Sequence, residues 1–300
     1  MRRRCWSAPG PPEGGKLISV LFGLLSALSW GGGDFVGGLA SRKTSAYRVV
    51  LYGETLGLLL LFGASLVLRE PALGWQQTIL AGLAGSVGSL GLLVLYQAMA
   101  AGQMSIAAPV SALLAAALPV VVGAYTEGLP TPIRLAGFAC ALAAVWLVAQ
   151  EQNGKTQLTR LADLRLPLTA GLCFGLYFIG MHLAGKEQVL MPMIASRTAG
   201  MLTLLVFVAA RRDGWQVARP AWPYIALNAV LDIGGNAFYI LAGQTGRMDA
   251  AAVLSSLFPG ATVLLAWLVL KEKINRVQWL GILLALVAIV LMTIKLDSHL

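Results

Sequence analysis

From residue 17 to residue 294 the chain is a succession of apolar runs, each close to the ~20 residues that a helix needs to cross the hydrocarbon of a bilayer. The runs fall at 17–39, 47–68, 77–100, 104–125, 132–149, 166–184, 189–210, 222–243, 248–270 and 277–294. A backbone surrounded by lipid must satisfy its own N–H and C=O groups, so such runs are expected to be helical. Charged residues make up only 12% of the chain and apolar residues 58%, whereas a soluble domain carries about a quarter charged residues. Folded in water, the chain would expose more contiguous apolar surface than soluble proteins carry. The expected fold class is an all-α integral membrane protein with ten transmembrane helices, multi-pass in the cell membrane (the inner or plasma membrane in a bacterium).

The formal charge of +9 does not point to nucleic acid. Its basic residues sit in short clusters between apolar runs, such as Arg2 to Arg4, Arg42 with Lys43, and Lys271 with Lys273, as charges meeting lipid head groups do. A nucleic-acid reader gathers them on one face instead. Cys5, Cys140 and Cys173 show no metal-ligand spacing, and His182 and His299 are the only histidines, so no metal site is expected. With no Walker A motif or redox signature, no cofactor is expected either.

Arg2 to Arg4 followed by an apolar run resemble a signal peptide, but the run exceeds a signal core and nine more follow it. It reads as a retained helix after a disordered tail over 1–16. The longest internal polar break, 151–165, divides the spans five and five, into halves 17–150 and 166–300. The halves match each other. At an offset of 144, Trp30-Gly31 matches Phe174-Gly175, Ala40 matches Ala184, Ser111 matches Ser255 and Gly137 matches Gly281. At 143, Gly57 matches Gly200 and Tyr96 matches Tyr239; at 145, Glu127 matches Glu272. An odd number of spans per repeat makes the second half enter the membrane from the opposite side. The expected architecture is therefore two inverted five-helix repeats around a central cavity, a design suited to alternating access.

Ionisable groups inside the membrane cost at least ~2.5 kcal/mol each near its centre, so they mark function or tight pairing. Asp34, Glu54, His182, Arg197 and Asp232 stand out. His182 and Asp34 lie toward helix ends, where an interfacial histidine and a hydrated carboxylate are ordinary. Glu54 and Arg197 occupy matching repeat positions with opposite charge, which places them across the cavity from each other. Asn228, Asp232, Asn236 and Tyr239 share one helix face, which must avoid lipid. A static ion pair of Arg197 with Asp232 or Glu54 and a substrate path lined by the same residues are both open. Gly82, Gly85, Gly88 and Gly91 give the third span a face nearly free of side chains, for close packing and for sliding. Pro109, Pro119 and Pro259 are expected to kink the fourth and ninth spans.

These residues resemble the EamA-type repeats of the drug/metabolite transporter superfamily. The likeness rests in the first half on Trp30-Gly31-Gly32-Gly33-Asp34-Phe35-Val36-Gly37-Gly38 and Tyr96-Gln97-Ala98. In the second it rests on Asp232, Asn236, Tyr239, the run Leu254 to Thr262, Leu270 to Lys273 and Gln278 to Gly281. It covers roughly 17–294, and Thr126-Glu127-Gly128 departs from the usual hydrophobic-Gly-Glu ending. The resemblance implies ten helices, cytoplasmic termini and secondary transport, commonly export, of metabolites, amino acids or drugs. The distribution of Lys and Arg over the loops opposes that orientation mildly.

The function expected is secondary active export of small metabolites such as amino acids, with protons or another ion as coupling partner and lipid as surroundings. Its pathway comprises Asp34, Glu54, Arg197, Asp232 and Asn236, with Trp30, Tyr96 and Tyr239 as aromatic walls. Arg197 would take an anionic group, and Asp232, Glu54 or Asp34 a proton or a cationic one. Proton-coupled efflux of drugs or other cationic compounds is the alternative. An integral-membrane enzyme or a receptor is remote, because the short loops lack clustered catalytic side chains.

Overall fold

A computed structural model describes residues 13–41, 43–100, 104–148, 165–211, 215–271 and 275–293. The described residues form eleven α-helices and one 3-10 turn, with no strand among them. The helices are α1 (Glu13–Ser41), α2 (Ala46–Leu68), α3 (Trp75–Ala100), α4 (Met104–Thr126), α5 (Pro132–Val148), α6 (Arg165–Ala184), α7 (Leu190–Arg211), α8 (Trp222–Thr245), α9 (Met248–Ser255), α10 (Phe258–Leu270) and α11 (Arg276–Thr293). Seven stretches are long and apolar enough to cross a membrane: α1, α2, α3, α6, α7, α8 and the α9–α10 pair. Shorter apolar stretches lie in α4, α5 and α11.

Helix α1 starts earlier than its apolar run, so residues 13–16, expected in the tail, are helical. Residues 1–12 and 151–164, the bulk of the expected tail and linker, lie outside the described residues. The ninth apolar run is two helices rather than one kinked helix. Pro259 has no N–H to give the Ser255 carbonyl, and the chain turns through Ser256 and Leu257 before α10 begins with the proline in its first turn. Helix α4, by contrast, runs unbroken through Pro119.

The surface is apolar and the interior is mixed, the reverse of a soluble protein. Leu59, Leu60, Phe62, Leu66 and Val67 of α2 and Leu280, Leu283, Leu286 and Val290 of α11 are exposed. Ser19, Ser26, Ser111, Ser196, Arg197, Asn236 and Asp249 are buried. That distribution identifies a multi-pass membrane protein whose solvent is lipid.

Helix α1 lies along α8 and α3 along α6; α7 packs on both α2 and α3, and α8 also meets α2. Helix α4 packs on α6 and α9 on α1, while α5 and α11 pair with each other at the flank. Small residues permit the close approaches. A methyl added at Gly85 would overlap the Ser196 backbone of α7, and one at Gly88 would come 2.8 Å from the Tyr177 ring of α6. The glycine face of α3 therefore fits against two helices at once.

The helix ends are tied together differently at the two faces of the bundle. At one, the Glu70 carboxylate accepts the Val189, Leu190 and Met191 N–H groups and caps α7. Glu127 accepts the Met248 N–H at the start of α9. Arg247 donates to the Glu127 and Gly128 carbonyls at 2.9 and 2.7 Å and pairs with fully buried Asp249 at 2.7 Å. Gln244 donates to the Gly185 carbonyl, and His182 sits 3.6 Å from Glu127. At the other face, Arg48 and Tyr52 donate to the Gln216 and Trp215 carbonyls at 2.9 and 2.7 Å, and Lys43 lies over the Tyr224 ring. These are called below the Glu127 end and the Trp215 end.

Candidate transport site

A cavity of about 140 Å³ lies in the middle of the bundle, among residues of α1, α2, α3, α4, α6, α7, α8 and α10. Trp30, Asp34, Glu54, Arg197, Asp232 and Asn236 line it, together with Phe174, Tyr177, Phe178, Met193, Ser196 and Ser89.

Arg197, buried on α7, reaches out with both arms. Its Nη1 donates to Glu54 Oε2 of α2 at 3.0 Å, and its Nη2 donates to Asp232 Oδ2 of α8. The guanidinium lies flat against α2 because residue 57 is glycine: a methyl there would sit 2.6 Å from Nη1. Asn236, one turn beyond Asp232, donates from Nδ2 to the Asp232 carboxylate at 3.2 Å and to its backbone carbonyl at 2.7 Å. The Tyr177 hydroxyl donates to Asn236 Oδ1. At the outer end of the same α8 face, Asn228 Nδ2 donates to the Gly33 carbonyl of α1 at 2.8 Å. A stripe that looks uniform in sequence thus joins α8 to α1, α7 and α6 in turn.

Asp34 lines the cavity from α1, one turn after Trp30. Among the described residues no cation pairs with it, and Asp232 is within electrostatic reach. The aromatic wall is a stack: Trp30 lies 5.4 Å from Phe178, and Phe178 lies 4.8 Å from Tyr239, measured between ring centroids. Tyr239 is one layer behind the cavity surface. It is fully buried and donates its hydroxyl to the Phe178 carbonyl at 2.7 Å. The side chain of Tyr96 lies outside the described residues.

The structure brings Trp30, Asp34, Glu54, Arg197, Asp232 and Asn236 to one cavity and sets Tyr239 behind it. His182 stays outside, at the Glu127 end. Sequence reasoning missed Tyr177, Phe178, Phe174, Ser196 and Met193, all cavity-lining. Repeat matching carried a signal for one of them, since Phe174 is the counterpart of Trp30. Ser196 adjoins Arg197 in sequence, and the others are ordinary residues of apolar runs. Among the described residues no three His, Cys, Asp or Glu side chains converge as metal ligands would.

Residues 164–294 match the model of the EamA-like transporter family. An uncharacterized protein of Methanocaldococcus jannaschii is 25% identical over 130 residues, 43% of this chain and 95% of that protein. A crystal structure of a protein 16% identical in sequence superposes with a TM-score of 0.74, over 91% of this chain and 95% of the other. At that identity the superposition speaks for the fold alone.

Proposed function

From the premise that this is a multi-pass membrane protein whose residues 164–294 match the EamA-like transporter family, we propose that it is a drug/metabolite-type transporter that carries a small metabolite across the cell membrane by alternating access between two inverted five-helix halves. The observation that carries the reading is the cavity at the junction of the halves, spanned by the Glu54–Arg197–Asp232 chain. Glu54 comes from the first half and the other two from the second, so one ion-pair network crosses the junction between them.

The helix pairings support the duplication. Let α6, α7, α8, α9–α10 and α11 stand for α1 to α5. The contact of α1 with α8 then becomes α6 with α3, α2 with α8 becomes α7 with α3, and α1 with α9 becomes α6 with α4. Each image is also a contact in the structure, and α2–α7 and α5–α11 map onto themselves. The archaeal relative supports it too: 130 residues at 95% coverage make a protein of about 137 residues, the size of one half.

The position of the cavity supports a state closed at the Glu127 end. Capping and ion pairs tie the halves together there, while Asp34 and Leu95, which reach farthest along α1 and α3 toward the Trp215 end, line the cavity. With both termini cytoplasmic, this is the state shut to the cytoplasm. Export, driven by the substrate gradient or by a coupled proton on one of the three carboxylates, completes the reading. It is tested by reconstituting the chain in sealed liposomes and following counterflow of labelled amines, amino acids and organic acids. Exchange of at least one class, abolished by Arg197→Ala, is expected. Absence of exchange for every class overturns the reading.

A further inference from the structure

Arg197 is spoken for. Glu54 holds one arm at 3.0 Å and Asp232 the other, and Asn236 steadies the second carboxylate. An anionic substrate group would have to displace one of them from an arginine that is only 6% exposed. The count of charges points the other way. One guanidinium faces three carboxylates in the same cavity, and Asp34 has no cationic partner among the described residues. Asp34 is exposed, so water solvates it, and the cavity that it lines carries more acid than base; an excess of one sign of charge in a cleft concentrates ions of the opposite sign.

The surroundings of Asp34 narrow the kind of cation. No three ligating side chains converge, so a chelated metal ion does not fit the described residues. Trp30 and Asp34, four residues apart, share a face of α1, and Trp30 stacks on Phe178. With Phe178 stacked on it and Gly235 of α8 close against the same indole, Trp30 serves as an apolar wall and the ammonium is left to the carboxylate. The cavity, about 140 Å³, is close to the roughly 150 Å³ apolar cavity that holds a benzene molecule. Phe174, Tyr177 and Met193 supply apolar wall for such a body.

We propose that the substrate is a protonated organic amine with a compact apolar or aromatic body, its ammonium held by Asp34 and its body against Trp30 and Phe178. This rests on the transport reading above and assigns that site its chemical class. Arg197 is then a fixed internal counter-ion that keeps Glu54 and Asp232 in place, not a substrate ligand.

The test is calorimetric titration of the full chain in lipid nanodiscs with phenethylamine, 2-phenylethanol, 3-phenylpropionate and phenylalanine, four probes that share a body and differ in charge. Phenethylamine is expected to bind at least tenfold more tightly than the other three. Asp34→Asn should lower its affinity at least tenfold and leave that of 2-phenylethanol unchanged. Equal or tighter binding of the alcohol, the acid or the amino acid overturns the proposal, as does full amine affinity in Asp34→Asn or no binding of the amine. If Asp34→Asn does not fold, the ranking on the unaltered chain decides. Counterflow of the same probes separates the two claims. Amine binding without amine exchange would sink the transport reading alone, and exchange of the acid with none of the amine would sink the amine alone.

Discussion

At the scale of single residues, the centre of the molecule is a guanidinium shared by two carboxylates. Breaking a buried pair leaves an uncompensated charge, at a cost of about 3–5 kcal/mol. Arg197→Ala should therefore destabilise the protein by about that much in detergent unfolding, and adding Glu54→Gln and Asp232→Asn should restore part of it. If the single variant is as stable as the parent, the network is not a structural tie. Gly57→Ala probes the same network without removing a charge. Its methyl would stand 2.6 Å from Arg197 Nη1 and push the guanidinium off Glu54. Overpacking of this kind costs about 1–3 kcal/mol, so a folded protein with strongly reduced counterflow is expected; normal counterflow would show that the guanidinium's position is immaterial. The charged members of this site were legible because an ionisable residue in an apolar run has few explanations. Gly57 was legible as a repeat match and, four residues after Gly53, as a packing glycine, but not as the seat of a guanidinium, because a glycine that makes room for a side chain of another helix looks like any other glycine. Tyr177, Phe178 and Met193 were invisible, since which face of α6 or α7 turns inward depends on neighbours distant in sequence.

At the scale of helices, the apolar runs marked where each element lies, because lipid leaves a spanning backbone almost no alternative to the helix. The exceptions were local. Two prolines of α4 and one of the ninth run read alike, yet only the run with Pro259 divides. The glycine face of α3 shows how packing was under-determined: spacing announced a smooth face, but not that α6 and α7 share it. Gly85→Ala, which would overlap the Ser196 backbone, should lower stability by about 1–3 kcal/mol, whereas Gly63→Ala, with open space around it, should stay within about 0.5 kcal/mol. Equal effects in thermal unfolding would mean that α3 and α7 are not in contact. The link between α4 and α9 also has a pH signature. Burial pushes the Glu127 carboxyl above its ordinary value, the Met248 N–H pulling the other way. A raised value means that the folded chain binds this proton more tightly than the unfolded one. The contribution is fully present below about pH 4.5, the unfolded value, and is lost as pH rises through the raised one. Melting followed from pH 4 upward should show this decline in the parent and not in Glu127→Gln; identical slopes would remove Glu127 as its source.

For the whole molecule, alternating access requires that one end open as the other closes, and the contacts between halves differ at the two ends. At the Trp215 end, among the described residues, Arg48 and Tyr52 join them, each donating to a loop carbonyl. At the Glu127 end, Glu70 of the first half caps α7 of the second, and Glu127 does the same for α9. A cap of this kind contributes about 0.5–2 kcal/mol, and two conformers of a working carrier differ by only a few. In the proposed cycle, Glu70 bridges the halves only in the state closed at this end, so its cap is lost when the end opens. Glu70→Ala should therefore raise the population open at the Glu127 end by roughly 2- to 30-fold, the Boltzmann equivalent of that cap. Met193 lines the cavity three residues into α7, next to this end, and serves as the reporter. In a chain with Cys5, Cys140 and Cys173 replaced by alanine, Met193→Cys should react faster with a membrane-impermeant thiol reagent supplied from the Glu127 side once Glu70→Ala is added. A cysteine in place of Ser89, in the cavity wall on α3, should at the same time react more slowly from the Trp215 side. If both positions become more reactive, the change is loosening of the bundle rather than exchange between two states, because only a rocking pair of halves couples gain at one end to loss at the other.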